Sequence, residues 1–493
     1  MRNLISSLYL FLCRAAAVMI QLRLVQQWFG ANYSGLNVVL NQVTYYVLIA
    51  ELGLSAATLS LLFEPVHQGN HSRAAALVQA MRGEVLRIIW ITGPIAAVLL
   101  ALYSLHLRQQ VPYSVAISAL LLSAASSFLT LMALPFHSYI NASDRIFEAN
   151  LILGTGFLVK TATGLAMARF THSYLTLVVT FPIVSALELI ALRMRFQRLI
   201  PRCELTAIEE ARKDIRDKAR FVLVHRLGGV IYYQSDFLIL SLSSSLALVG
   251  EYAQYQYLAA GLLGLFTAGA NAVTTRLARV QMPMVAEERR RFYGRTSESL
   301  FFAAILSSAL FLLTAPSFVH AFFHIEPLEN NIQRLIAILL LLNLCKTGDD
   351  IWINVRGAFQ FGYTFPLFES AGYIVMGILL VRSLGIAGVL LAGIATNLVF
   401  SFGLRLIVLA RAALQVNVAR VAQARGRAAM LALLLASPAL AFAAYLHRSL
   451  SDSLGHSSII LAVSLAYLTV ILVAQSSRLR RMVRSLRLTE VSG

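Results

Sequence analysis

The chain predicts an all-α polytopic membrane fold, and three observations carry that expectation. Hydrophobic residues make up 58% and charged residues 13% of its 493 residues. With a mean hydropathy of +0.72, that composition excludes a soluble domain. The apolar residues fall in about fourteen runs, each near the ~20 residues that cross a ~30 Å hydrocarbon core. The breaks between runs also recur after about 215 residues, as in a duplicated unit. Loops 64–82, 107–112, 141–147 and 170–174 fall on 279–297, 322–327, 356–362 and 385–389. Gly35 falls on Gly250 and Pro112 on Pro327, while few other side chains match. The warrant is coincident topology, not identity.

Taken in order, the expected spans are 4–28, 35–63, 84–106, 113–140, 148–169 and 174–194 in the first copy. The second copy supplies 221–242, 248–275, 297–319, 330–355, 364–383 and 387–410, and two additional spans follow at 429–447 and 457–475. The apolar stretch from Leu4 runs through Arg14 to Phe29 without a small-residue cleavage pattern, so it is expected to remain as a span. The domain expectation is an N-terminal six-helix lobe at 1–196, a cytoplasmic linker at 197–220 and a C-terminal six-helix lobe at 221–411. Two further helices occupy 412–475, and a basic tail occupies 476–493. Pro94, Pro135, Pro182, Pro366 and Pro438 lie within or near span ends, where prolines kink helices. Parallel repeats of this kind are a signature of secondary transporters, whose halves rock around a central site.

The net charge of +18 is a matter of orientation. Most of the 41 Lys and Arg fall on one side when the N-terminus is placed inside. They include Arg193, Arg195, Arg198, Arg202, Arg212, Lys213, Arg216, Lys218 and Arg220 between spans six and seven, and Arg289, Arg290 and Arg291 between eight and nine. The outer side holds Arg23, Arg108, Arg169, Arg334, Arg382 and Arg448. This is a positive-inside pattern with cytoplasmic termini, and no nucleic-acid partner is expected. The pattern Glu209, Glu210, Arg212, Lys213, Asp214 reads as a solvated surface helix with a Glu209–Lys213 pair. Arg480, Arg481, Arg484 and Arg487 make the tail an amphipathic anchor on membrane lipids. Cys13, Cys203 and Cys345 are scattered, so neither a disulfide framework nor a metal site is expected, and no cofactor is implied.

Charges at bilayer depth are the candidate functional groups, because each costs ~2.5–3.5 kcal/mol at a span centre and wants a partner or a wet cavity. Span two carries Asn37, Asn41, Thr44, Leu48, Glu51 and Ser55 at helical spacing, as one polar stripe. Span one presents Arg14, Val18, Gln21, Val25 and Trp28 on one face. Span seven presents Arg226, Val230, Tyr233 and Asp236, and span ten presents Asn343, Lys346, Asp350 and Asn354 beside Asp349. Lys160 sits near the middle of span five with no opposite charge on its own helix. Each has a bland alternative. Arg14 and Arg226 can snorkel to headgroups, Lys346 and Asp350 can neutralise each other, and Glu51 can serve as an interhelical hydrogen-bonding group. Tyr252, Tyr255 and Tyr257 are expected in an interfacial aromatic belt rather than in a sugar site.

The stretch Trp28-Phe29-Gly30-Ala31-Asn32-Tyr33-Ser34-Gly35-Leu36, followed by Glu51-Leu52-Gly53-Leu54-Ser55, resembles the opening of Wzx-type O-antigen flippases. These are polysaccharide exporters of the multidrug/oligosaccharidyl-lipid/polysaccharide superfamily. The motif covers the first two spans, and topology extends the likeness along most of the chain. The resemblance implies two six-helix lobes in a V, in the bacterial inner membrane. It also implies alternating-access transport of a polyprenyl-pyrophosphate-linked oligosaccharide for surface polysaccharide, with no covalent chemistry. Lys160, Arg14 and Arg226, with Lys346 behind them, are then the candidates for the pyrophosphate. Asn37, Asn41, Gln21 and Tyr233 would line the sugar path, and Glu51, Asp236, Asp349 or Asp350 would carry a coupling H+ or Na+. Other polysaccharide-assembly proteins are conceivable partners. In the related lipid II flippases, two extra helices form a groove for the lipid tail.

Two readings from the same superfamily compete: a lipid II flippase, whose characteristic early motif is not recognised here, and a cation-coupled multidrug antiporter, which favours an anionic cavity. A membrane enzyme of polysaccharide assembly is the remote alternative. It needs a catalytic constellation outside the bilayer, and the loops offer none, so the chain is not expected to be an enzyme.

Overall fold

The fold was analysed in a computed structural model, which describes residues 2–49, 51, 53–143, 145–199, 207–281, 284–355 and 364–449. The expected span 457–475, the basic tail with its four arginines, Cys203 and loop 356–362 lie outside them. The described residues are helical and hold no strand. The helices are α1 (Arg2–Phe29), α2 (Ala31–Ile49), α3 (Leu54–His67), α4 (His71–Leu107), α5 (Tyr113–Ala142), α6 (Ile146–Thr171), α7 (Tyr174–Leu199) and α8 (Ala207–Ser243). There follow α9 (Leu246–Gln281), α10 (Ala286–Phe323), α11 (Asn330–Val355), α12 (Phe365–Leu384) and α13 (Ile386–Thr396). The wider π-helical stretches Asn397–Leu404 and Leu409–Ala413 flank the short α14 (Arg405–Val408), and α15 spans Val418–Ser449.

Eight helices among the described residues are long and apolar enough to cross a membrane. Their surfaces carry the matching signature. On α4 the apolar side chains of Trp90, Ile91, Ile95, Val98, Leu99 and Leu102 are exposed, Trp90 by 80%. They recur at helical spacing, so the face is built for lipid and not for water. The 37 residues of α4 reach about 55 Å, well beyond a hydrocarbon core. Its first four turns accordingly behave differently: Ala74 to Val78, Ala80, Met81 and Val85 are buried inside protein.

The chain divides into two compact units, Met1–Ala253 and Gln254–Gly493, with α9 running from the first into the second. In the first unit, α5 packs along α7 and α4, and α6 lies between α1 and α7. Two apolar clusters fill it. One joins Leu62, Met81, Phe136, Tyr139, Phe196 and Ile215; the other joins Leu36, Leu40, Leu107, Leu120, Leu177 and Leu246. In the second unit, α10 packs on α15 and α11, α12 on α13, and Tyr293, Trp352, Leu409 and Val421 form a core.

Three sequence expectations change. The span 35–63 is two helices, α2 and α3, broken around Glu51, so the polar stripe does not run through as one helix face. The segment from Ala207 is not a free surface helix. It is the first turns of α8, and it docks on α4 with Ala211 and Ile215 fully buried. Glu84 of α4 receives Arg212 at 3.1 Å and Arg216 at 2.8 Å, and Asp214 receives Arg73 at 2.5 Å. The hydrogen bond to Glu84, reinforced by its charge, pushes the Arg216 guanidinium above its ordinary pKa. Finally, Tyr252 and Tyr255 are fully buried, not interfacial: Tyr252 bonds Asp236, and Tyr255 accepts the Leu328 amide.

The two glycines of the N-terminal motif have separate reasons. Gly30 ends α1 at φ +93°, a backbone region that favours glycine. Gly35 lies where α2 meets α9: a Cβ there would stand 1.7 Å from the Leu246 carbonyl oxygen. Across the crossing is Gly250, whose own Cβ would stand 3.1 Å from the Gly35 nitrogen. The two glycines that coincide in the sequence repeat therefore face each other. Gly35→Ala should force backbone apart and cost ~1–3 kcal/mol, seen as a lower unfolding temperature of the detergent-purified chain. Gly261→Ala, where nothing lies within 4 Å, should not lower it.

Candidate functional site

Within the first unit, α1 packs along α6 and brings Arg14 and Lys160 to one phenyl ring. The Arg14 guanidinium lies 5.5 Å and the Lys160 ammonium 5.7 Å from the centroid of Phe157. Lys160 also sits 4.5 Å from Phe181 of α7, and Arg14 lies 5.5 Å from the Tyr45 ring of α2 while donating to its hydroxyl. Aromatic faces attract cations through the ring quadrupole and leave the charge uncancelled. The Lys160 ammonium makes no hydrogen bond or ion pair among the described residues, and Arg14 is exposed. The carboxylate within electrostatic range of Lys160 is Glu188 of α7. The cluster is two cations and one anion.

The remaining first-unit candidates separate from it. Gln21 donates to Asn37 at 2.8 Å in a buried α1–α2 pair, about two turns beyond Arg14. Asn41 is half-buried one turn further along α2. Glu51, in the break after α2, accepts the backbone and hydroxyl of Ser55. Asp236 is buried on α8, accepting the Tyr252 hydroxyl at 3.1 Å and the Phe237 amide at 2.9 Å, with no cation paired to it among the described residues. Tyr233 is 42% exposed and packs edge-on to Tyr232. Arg226 falls on α8, but its side chain lies outside the described residues.

The second unit holds a different arrangement. Lys346 and Asp350 do not neutralise each other. Lys346 of α11 bonds both oxygens of Glu369 of α12 at 3.0 Å, and Ser401 donates to the same carboxylate at 2.8 Å. Asp350 pairs with Arg405 at 2.6 Å. Asp349 takes Arg425 of α15 at 2.7 Å and the Tyr293 hydroxyl at 3.1 Å, and Arg425 stacks on Phe402 at 4.2 Å. Asn397 and Asn343 close the row at 3.0 Å. Three cations thus meet three carboxylates. Among the described residues no group of His, Cys, Asp and Glu could hold a metal ion.

The sequence reading names Lys160 and Lys346 but misses Glu188, Arg405 and Arg425. A legible signal existed for Glu188: it is a lone carboxylate in an apolar span, the same signal that singles out Lys160.

No protein-family model matches the chain, and no curated protein matches its sequence. Solved structures do match. The chain is similar to the lipid II flippase MurJ in its inward closed conformation, with a TM-score of 0.67 at 13% identity, covering 97% of this chain and 99% of that one. It is similar to an inward-facing multidrug resistance MATE family transporter of the MOP superfamily, with a TM-score of 0.56 at 13% identity over 86% and 94% of the two chains. The eukaryotic MATE transporter AtDTX14 gives 0.53 at 12% identity, over 87% and 100%. The chain therefore shares the fold of these transporters, and eight of its helices among the described residues are long and apolar enough to cross a membrane.

Glu369→Gln should leave a buried ammonium without its counter-charge and destabilise the chain by ~3–5 kcal/mol. Replacing both partners, Lys346→Met with Glu369→Leu, should restore most of the unfolding temperature.

Proposed function

We propose that this chain is a flippase that carries a polyprenyl-pyrophosphate-linked oligosaccharide across the bacterial inner membrane by alternating access, for surface polysaccharide biosynthesis. The observation that carries the reading is the Arg14–Phe157–Lys160 cluster: two cations held on one ring, with Glu188 in electrostatic range of Lys160. In a low-dielectric layer such a site attracts an anion far more strongly than in water. A pyrophosphate supplies the matching charge and acceptor oxygens. In the second unit, Lys346, Arg405 and Arg425 are each bonded to a carboxylate and offer no comparable excess. Lys346 accordingly serves the frame of that unit more than the head group.

The sugar path uses Gln21, Asn37, Asn41 and Tyr233. Asp236 is the leading carrier of a coupling H+ or Na+, because it is buried without a paired cation among the described residues. Asp349 and Asp350 already hold arginines. The lobes keep the boundaries given above, with both termini cytoplasmic and no enzymatic step.

The MurJ likeness along nearly the whole chain favours a second reading, a lipid II flippase. The same cation cluster serves a pyrophosphate-linked lipid in either case. A multidrug antiporter fits less well, since a net positive cluster repels cationic drugs. Deleting the gene should cause a lipid-linked oligosaccharide to accumulate at the inner leaflet. Accumulation of lipid II instead would select the second reading, and drug sensitivity without either intermediate would select the antiporter. Lys160→Ala or Arg14→Ala, at normal protein level, should lower surface polysaccharide by about tenfold or more, because each removes a cation that attracts the head group. Normal polysaccharide in both variants would remove the cluster from head-group binding.

A further inference from the structure

Glu188 reaches from α7 into a place where α6 has no side chain. A Cβ on Gly156 would stand 1.8 Å from Glu188 Oε1 and 2.7 Å from its Cδ, so the carboxyl group occupies that cradle. Lys160 lies four residues further on, one turn along the same helix face. Arg14, Lys160, Glu188 and Tyr45 are thus contributed by four helices, α1, α6, α7 and α2, around Phe157.

The second unit shows how this chain holds a permanent counter-ion. Glu369 grips Lys346 with both oxygens at 3.0 Å, and Ser401 pins the carboxylate. Glu188 is held in neither way: it attracts Lys160 only electrostatically, without a hydrogen bond or ion pair to it. A half-buried carboxylate seated against a glycine, in electrostatic range of Lys160 but not bonded to it, is placed to leave. We propose that Glu188 is a displaceable internal counter-ion that stands beside Lys160 when the site is empty and gives way to an incoming diphosphate head group. This inference rests on the head-group reading of the same cluster. It adds a specificity element: a monoanion replaces the charge of Glu188 without surplus, whereas a diphosphate exceeds it.

The test measures binding of undecaprenyl pyrophosphate to the purified full chain in detergent by native mass spectrometry, with undecaprenol as the uncharged control. Glu188→Gln should bind the diphosphate at least several-fold more tightly, because a negative charge beside the head group is removed. Gly156→Ala should act in the same direction, because its methyl group pushes the far end of a flexible side chain out of the cradle. Lys160→Ala and Arg14→Ala should bind more weakly. If these two weaken binding while Glu188→Gln leaves it unchanged or weaker, the counter-ion role is overturned and the head-group reading stands. If the wild type binds the diphosphate no better than undecaprenol, the head-group reading fails. The counter-ion role is then decided without ligand. Lys160→Cys, in a background free of Cys13, Cys203 and Cys345, is treated with anionic and cationic methanethiosulfonates. Adding Glu188→Gln should raise the anionic-to-cationic rate ratio several-fold, and an unchanged ratio would overturn the proposal.

Discussion

A charge inside the hydrocarbon layer must be cancelled, hydrogen-bonded or held against a polarisable face, and the interior of this protein is arranged around that constraint. The desolvation cost of an isolated ion at bilayer depth is several kcal/mol, comparable to the whole stability of many domains. In the second unit the solution is pairing. Lys346, Arg405 and Arg425 meet Glu369, Asp350 and Asp349, drawing α11, α12, α14 and α15 together. The Asp349–Arg425 pair ties a helix beyond the repeat to the core of the unit. The π-helical stretches on either side of α14 lie in the same region, and Ser401 of the first contacts Glu369. Widened turns re-aim side chains that a regular helix would point elsewhere.

The first unit meets the same constraint in another way. Arg14 and Lys160 both lie against the Phe157 ring, and Glu188 attracts Lys160 without an ion pair. Rings lower the cost of the charge without cancelling it, so the field remains available to an anion. A structural ion pair exhausts its attraction internally, whereas cations on aromatic faces keep theirs. That difference in bonding, not the presence of charge as such, is what the proposed head-group site rests on.

Glycine sets the other close tolerances. Gly35 and Gly250 allow α2 and α9 to approach backbone to backbone, and Gly156 leaves room for the carboxyl group of Glu188. Neither arrangement tolerates an added methyl group unchanged, but the consequences differ. At Gly35 the obstacle is backbone, which moves only with its helix. At Gly156 it is the end of a flexible side chain, which moves alone.

The sequence by itself determined that the chain is helical and membrane-spanning, because apolar runs of bilayer length have few other stable solutions. It also placed α1, α5, α6, α11 and α12 within a few residues, though α4, α8, α10 and α15 begin well before the expected spans. It singled out Arg14, Lys160, Lys346, Asp236, Asp349 and Asp350 as unusual. It could not determine their partners. Helical periodicity relates residues on one helix, so Lys346 and Asp350 looked like a pair, and Lys160 looked isolated. Pairing across helices depends on which faces meet, and only the tertiary structure decided that Lys346 belongs to Glu369, Asp350 to Arg405 and Asp349 to Arg425. It likewise broke the stripe of span two at Glu51, buried Tyr252 and Tyr255 of α9 and brought Glu188 toward Lys160. The reason is physical: hydrophobic patterning specifies which residues leave water, while hydrogen bonding and charge pairing act at about 3 Å, a scale fixed only once the helices have packed.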